Sequence, residues 1–312
     1  NWLFQIENEK FHLCFNGPTS YRVWNTQNSQ QISLEATSLS LGKYYQAALG
    51  EKKYNLLFIE LQNKLKKLKD NEEKNLYEKE ELLKEISRSR VFQDQANKIL
   101  TLKSPSSELI DKSQKLYRKA KKLRRSLPAV QERIAHHKQR LQSIAESKVF
   151  LNSFNSNQWE KETEKLEGLI ELKQELYEYQ ISTTNRNESP KRRNHHKKRT
   201  PKPLSIKSPS GLEIQIGRNH RQNDWISLKQ SRTGDLWFHV QECPGSHVIL
   251  KASNGIAEDE DIQMAADLAS YFSNAKGSLK VPVLMVPTHQ LQRIPGSTPG
   301  TVKYRKSTIC WG

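Results

Sequence analysis

Three side chains with metal-binding chemistry stand at even spacing near the C-terminus: His239, Cys243 and His247, an H-x3-C-x3-H pattern. On a helix such spacing would put all three on one face, but Pro244-Gly245 breaks any helix there. No fourth ligand is close by in sequence, so no metal centre is expected. Ser246 beside His247 or His239 has the residue types of a nucleophile and its base. Sequence neighbours rarely reach the required geometry, however, and no G-x-S-x-G elbow occurs. There is no P-loop and no dinucleotide fingerprint. His195-His196 read as solvated side chains. The chain is therefore read as a binding protein, not an enzyme, with no metal and no cofactor.

A different chemistry is denser in the same region. Leu212–Ile216 alternates as a half-buried strand and leads into Arg218-Asn219-His220-Arg221-Gln222-Asn223-Asp224, where a turn at Asn219–Asn223, rich in hydrogen-bond donors, is expected. Donors of this kind meet phosphate oxygens or base edges. Trp225 and Trp237 lie close by in sequence, and tryptophans beside cationic and amide groups suit stacking on unpaired bases. Taken alone, both tryptophans fit a core role equally well, because aromatic residues mostly pack.

A second cluster is purely cationic. Lys112, Lys115, Arg118, Lys119, Lys121, Lys122, Arg124 and Arg125 fall in one stretch with no acid between Asp111 and Glu132. A solvated helix usually pairs bases with acids four residues apart. A polyphosphate partner would offset the mutual repulsion through counterion release. A merely soluble face is the plainer alternative.

The surrounding elements set the frame. The chain has 312 residues, a formal charge of +17, only 35% apolar residues and a mean hydropathy of −0.83. Small folded units joined by long polar elements suit that composition better than one large core. The excess charge favours a polyanionic partner. Residues 1–50 are neutral, 51–180 carry a net +7, 181–203 another +7, and 204–312 only +3. No apolar run is long enough to span a bilayer. The three scattered cysteines (Cys14, Cys243, Cys310) fit a reducing cytosol.

Residues 1–37 are expected to be the remnant of a β-containing domain, with strands at 2–6 and 11–15 about a turn at 7–10. The start at Asn1-Trp2-Leu3-Phe4 reads as a beginning inside a longer protein. Residues 38–180 are expected to hold a coiled-coil hairpin with an accessory helix from Trp159 to Tyr179. The first seam runs Leu61, Leu65, Leu68, falters at Glu72, Asn75 and Lys79, and recovers at Leu82 and Ile86. The second runs from Leu116 to Leu151, interrupted by His137 and Lys148. An antiparallel hairpin turning at 102–107 and a parallel homodimer both satisfy this pattern. Pro128 is expected to kink the second helix or to mark a new start near Ser126. Residues 181–203 read as a disordered basic linker. Residues 204–312 form an α+β domain, with strands at 225–228, 236–240, 248–250, 281–286, 301–304 and 308–311 and one helix at 259–272.

The motifs Ile216–Asp224, Asp235-Leu-Trp-Phe-His239 and Pro244-Gly-Ser-His-Val-Ile249 resemble the NFACT-R RNA-binding domain of the RqcH/NEMF family of ribosome-associated quality-control factors. Lys276–Val283 and Pro299–Tyr304 resemble later motifs of that domain. Ser104–Arg125 and Leu41–Tyr45 resemble parts of the family's coiled coil. The resemblance implies a monomeric cytoplasmic factor that binds the large ribosomal subunit carrying peptidyl-tRNA, and tRNA, alanine tRNA in particular. It supports rescue of stalled ribosomes, with C-terminal alanine tailing in the full-length protein. It also implies RNA contacts at Arg218, Asn219, Arg221, Asn223, Asp224, Trp237, His239, Ser246 and His247, beside Lys115, Arg118, Lys119, Lys122, Arg124 and Arg125 of the cationic helix. Two departures stand out. The family's N-terminal domain, which bears the acidic–arginine pair associated with tailing, is matched at most by its last strands. A loop that is lysine-rich in the family is Arg293-Ile-Pro-Gly296 here. A surface adhesin or coiled-coil scaffold binding a protein such as fibronectin is the alternative reading.

Overall fold

The computed structural model describes residues 13–15, 21–22, 30–32, 37–155, 162–184, 200–295 and 297–312. The backbone divides into two compact units, Asn1–Leu61 with Phe154–His195, and Gln62–Ser153 with His196–Gly312.

In the first unit, β1 (Leu13–Phe15) pairs antiparallel with β2 (Tyr21–Arg22) and β3 (Gln30–Ile32). β1 falls inside the strand expected at 11–15; the strand at 2–6 and its turn lie outside the described residues. The first turns of α1 (Thr37–Ser87) and the helix α4 (Glu162–Thr184) complete this unit. Leu169, Leu172 and Leu176 bury one face of α4, and Lys173 Nζ meets Glu60 at 2.7 Å. α4 continues past Tyr179 into the segment read as linker, of which 185–199 lie outside the described residues.

The second unit holds the rest of the hairpin. α1 ends at Ser87, a one-residue break at Arg88 precedes α2 (Ser89–Leu100), and a loop at 101–106 leads into α3 (Ser107–Asn155). The pairings run antiparallel: Ser113 Oγ donates to the Ala96 carbonyl, Lys119 meets Glu85, and His137 meets Glu72. Leu65, Ile86, Ala120, Leu123, Val130 and Ile134 fill the seam. The two seam defects face each other. Glu72, only 4% exposed, takes His137 Nδ1 at 2.7 Å on one oxygen and Arg140 at 3.0 Å on the other. Lys148 is exposed and lies outside the seam, whose buried positions there are Ser147 and Leu151. α3 passes through Pro128 without a new start, because that residue faces solvent and removes one backbone donor on the outer side.

The C-terminal domain is α+β. Its antiparallel sheet runs in the order β11-β8-β6-β7-β5-β4: β4 (Leu204–Lys207), β5 (Glu213–Ile216), β6 (Leu236–Val240), β7 (Val248–Leu250), β8 (Pro282–Pro287) and β11 (Thr308–Trp311). Alternate side chains divide between two faces. On the first, Ile214, Ile216, Phe238, Val248, Leu250 and Val283 pack against α6 (Asp259–Tyr271) through Ala265, Ala266, Leu268 and Ala269. On the second, Trp237, Ile249, Leu284 and Val286 meet Ile226, Trp225 and Leu228 of α5 (His220–Leu228). α5 corrects the expected turn at 219–223 and strand at 225–228. Nine residues are too few to display a helical period, and the first five are all polar. A short antiparallel ribbon, β9 (Gln292–Arg293) with β10 (Val302–Lys303), lies by the second face, where Leu291 and Val302 join the core.

Candidate nucleic-acid interface

The cationic stretch of α3 begins within two turns of the hairpin loop. Ser113, Ala120 and Leu123 point into the seam, while Lys112, Lys115, Arg118, Lys119, Lys121, Lys122, Arg124 and Arg125 lie outside it, open to solvent. Among the described residues only Lys119 is engaged, 3.1 Å from Glu85 and over the Phe92 ring at 4.3 Å. The others form no ion pair among the described residues. Apart from Lys119, this run thus presents positive charge that has no ion pair among the described residues.

The motif block of the C-terminal domain is built in the opposite way. Asn219 caps α5, its side chain accepting from the Gln222 amide at 2.7 Å. The Gln222 carbonyl oxygen accepts from the Arg218 amide, and its NH2 donates to the Lys202 carbonyl. Asn223 Oδ1 accepts from the His247 amide at 3.1 Å. A Cβ on Gly217 would fall 2.1 Å from that same oxygen, so only glycine lets β5 approach α5 this closely. Asp224 takes Arg293 on both oxygens at 2.9 and 3.0 Å. Arg293, the departure in the family's lysine-rich loop, is therefore committed to the domain's own carboxylate.

His247 Nδ1 shares a hydrogen bond with Ser227 Oγ at 2.8 Å. His239 lies parallel to Trp237 at 5.6 Å, and His247 stands edge-on to both rings. Burial drives the His239 pKa down to about 4, with backbone hydrogen bonds at Gly245 and Val240 only partly opposing it. Burial first, and then the neighbouring imidazoles, hold His247 well below the usual histidine range. Both are neutral at physiological pH, so neither offers a phosphate a positive charge. Trp237 is 2% exposed and belongs to the core, so it cannot itself stack on a base. Trp225 is half-buried beneath Lys229 at 5.7 Å. Ser246 is buried with no hydrogen-bond partner for its hydroxyl among the described residues. Of the expected contacts in this block, Arg221 and His239 keep partial exposure, while Arg218, Asn219, Asn223, Asp224, Trp237, Ser246 and His247 are buried.

One buried ion pair holds the end of β6. Asp235 accepts from Ser253 Oγ at 2.6 Å, the Ser253 and Arg232 amides, and Lys251 Nζ at 3.1 Å. Burial pushes its pKa up, and the bonds from Ser253, Arg232 and Lys251 more than reverse this, leaving it below the usual carboxylate value. The domain also docks on the hairpin through His220. Its Nε2 lies 3.2 Å from Ser147 Oγ and from the Ser143 carbonyl, its Nδ1 lies 3.2 Å from Glu146, and its ring meets Phe150 edge-on. No sequence pattern marks this joint.

Residues 202–306 match the family model for the NFACT protein RNA binding domain. That domain, and relatives named RqcH, point to the RqcH/NEMF family. It is 26% identical over 214 residues to the Rqc2 homolog RqcH of Bacillus subtilis, covering 68% of this chain and 35% of that protein. Over 92 residues it is 42% identical to the Streptococcus suis RqcH, 30% of this chain and 16% of that one. It therefore spans about a third or less of the length of these relatives. The C-terminal fibronectin/fibrinogen-binding protein fragment (FBPS) from Streptococcus suis superposes with a TM-score of 0.60 at 25% identity, over 84% of this chain and 94% of that one. The NFACT-R match includes the motif block from Arg218 to His247, so the family's most distinctive residues here mostly build the domain rather than line its surface. Among the described residues no helix is long and apolar enough to cross a membrane.

Proposed function

We propose that this chain is the ribosome-gripping part of a quality-control factor: it binds the large ribosomal subunit carrying peptidyl-tRNA, and tRNA, during rescue of stalled translation in the cytosol. It acts by binding, without chemistry of its own. The observation that carries the reading is the exposed cationic run from Lys112 to Arg125, in which only Lys119 has an ion pair among the described residues, in a chain whose C-terminal domain matches an RNA-binding module. Filter binding of ribosomal RNA and tRNA across a salt series tests it. If about five of these cations meet phosphates, log K falls with log salt at a slope near −4 to −5. A flat slope, or no binding in dilute buffer, overturns the reading. Sedimentation with separated ribosomal subunits then assigns the large subunit.

The likeness to a fragment described as fibronectin/fibrinogen-binding favours a second reading, a surface scaffold for a protein ligand. Surface capture of immobilised fibronectin at physiological salt, with no salt-sensitive RNA binding, would select it.

A further inference from the structure

The second sheet face is closed at one end and open at the other. α5 covers Ile249 and Trp237, whereas the same face of the edge strand β11 stands open. Ile309 pairs with Leu284 and Trp311 with Pro282, while Cys310 between them packs on the first face. Ile309 and Trp311 therefore project from the second face, where Trp311 is 56% exposed. Tyr304, 37% exposed, leans on Trp237 at 6.1 Å and joins the same face. The buried Trp237 is thus a pillar, with partly exposed rings, Tyr304 and His239, held against it. Exposed Lys303, Arg305 and Lys306 flank Tyr304 along the chain, and no acid occurs between Val302 and Gly312. None of the three cations has an ion pair among the described residues.

We infer that this open end is a stacking platform for unpaired nucleobases, so that the domain takes single-stranded rather than duplex RNA. The inference rests on the RNA-binding reading above and names its substrate class. Rings with an open face accept any base, and flanking cations follow the backbone; this combination is the usual construction of single-strand sites. Charge decides between RNA and a protein ligand. A purely apolar edge would fit another polypeptide, but unneutralised cations among the rings are complementary to phosphodiesters.

The test uses the whole chain and fluorescence anisotropy. Wild type, Tyr304→Ala/Trp311→Ala and Trp311→Phe are titrated with a single-stranded oligonucleotide and with duplex RNA of equal phosphate number. The double variant is expected to bind the single strand about tenfold more weakly, since base stacking contributes on this scale. Duplex affinity and the salt slope should stay as in wild type, and Trp311→Phe should keep most of the affinity. All the substituted residues are exposed, so a failure to fold is not expected, and circular dichroism checks it. If wild type prefers neither RNA form and the double variant matches it on both, the platform is overturned while RNA binding stands. If wild type binds no RNA, the broader reading fails as well. A double variant that loses only self-association in sedimentation equilibrium assigns the patch to a second copy and likewise overturns the inference.

Discussion

The cationic run of α3 and the motif block of the C-terminal domain are both rich in polar residues, and they use them in opposite ways. On α3 the apolar seam takes care of folding, and Arg118, Lys122, Arg124 and Arg125 are left open to solvent with no ion pair among the described residues. In the motif block, Asn219, Gln222, Asn223 and Asp224 are used up in capping α5, joining it to β5 and holding Arg293. A distinctive motif therefore need not be a contact surface. Polar groups that the fold satisfies internally specify architecture; charges that it leaves unsatisfied on a rigid element point to a partner.

The comparison breaks if mutations in the two regions have the same kind of effect. The largest effect is expected from Asp235→Ala, which strands Lys251 in the interior. Removing one partner of a buried pair costs about 3–5 kcal/mol, read as a lower midpoint in denaturant unfolding. Residual folded protein should keep its RNA affinity. Arg124→Glu with Arg125→Glu should do the reverse, lowering affinity for the large subunit roughly a hundredfold at low salt, as loss and reversal of two phosphate contacts implies. Its unfolding midpoint should not move; unchanged co-sedimentation would count against α3 as a contact surface.

Acid should act on the motif block through its buried histidines. Unfolded histidines take up protons as pH falls through about 6.5, whereas folded His239 stays neutral to about 4. The unfolded chain binds more protons in that window, so stability falls as pH drops from about 6.5 to 4, by about 1–3 kcal/mol for His239. Replacing the imidazole with a side chain that does not titrate isolates this contribution. His239→Gln should flatten the pH profile of domain unfolding, and a profile that stays equally steep would contradict the neutral imidazole. The smallest effect is expected at the joint, where His220→Ala removes its links to Ser147 and Glu146 for about 1 kcal/mol. Hydrogen exchange should then rise in both α5 and α3; exchange unchanged in α3 would show that the docking is not held there.

How much of this is legible from residues alone depends on how far each signal repeats. The hairpin is readable because an apolar seam recurs over many heptads, and its defects at Glu72 and His137 are visible as defects, though not as partners. Strands β6, β7, β8 and β11 announce themselves by apolar content. α5 does not: its only sequence mark is Asn219 as a cap three residues before Gln222, too slight beside a run of polar side chains. The cationic surface is expected to be exposed and is so, whereas the donor-rich run is expected as an open turn and is largely buried. Burial of polar residues depends on partners distant in sequence, such as His247 for Asn223 and Arg293 for Asp224, and no local pattern encodes those. The Lys303-Tyr304-Arg305-Lys306 interleaving is the overlooked clue to the open end of the sheet.

The buried Glu72–His137–Arg140 layer has a consequence for measurement along the molecule. Sliding one helix by a heptad, about 10.5 Å, would separate the carboxylate from both its partners, so the two helices are indexed to a single alignment. Between Arg125 and Ser147, where His220 docks, α3 rises about 33 Å without interruption. Charge near the loop and the head at the joint are thus held at one calibrated interval, as on a gauge block.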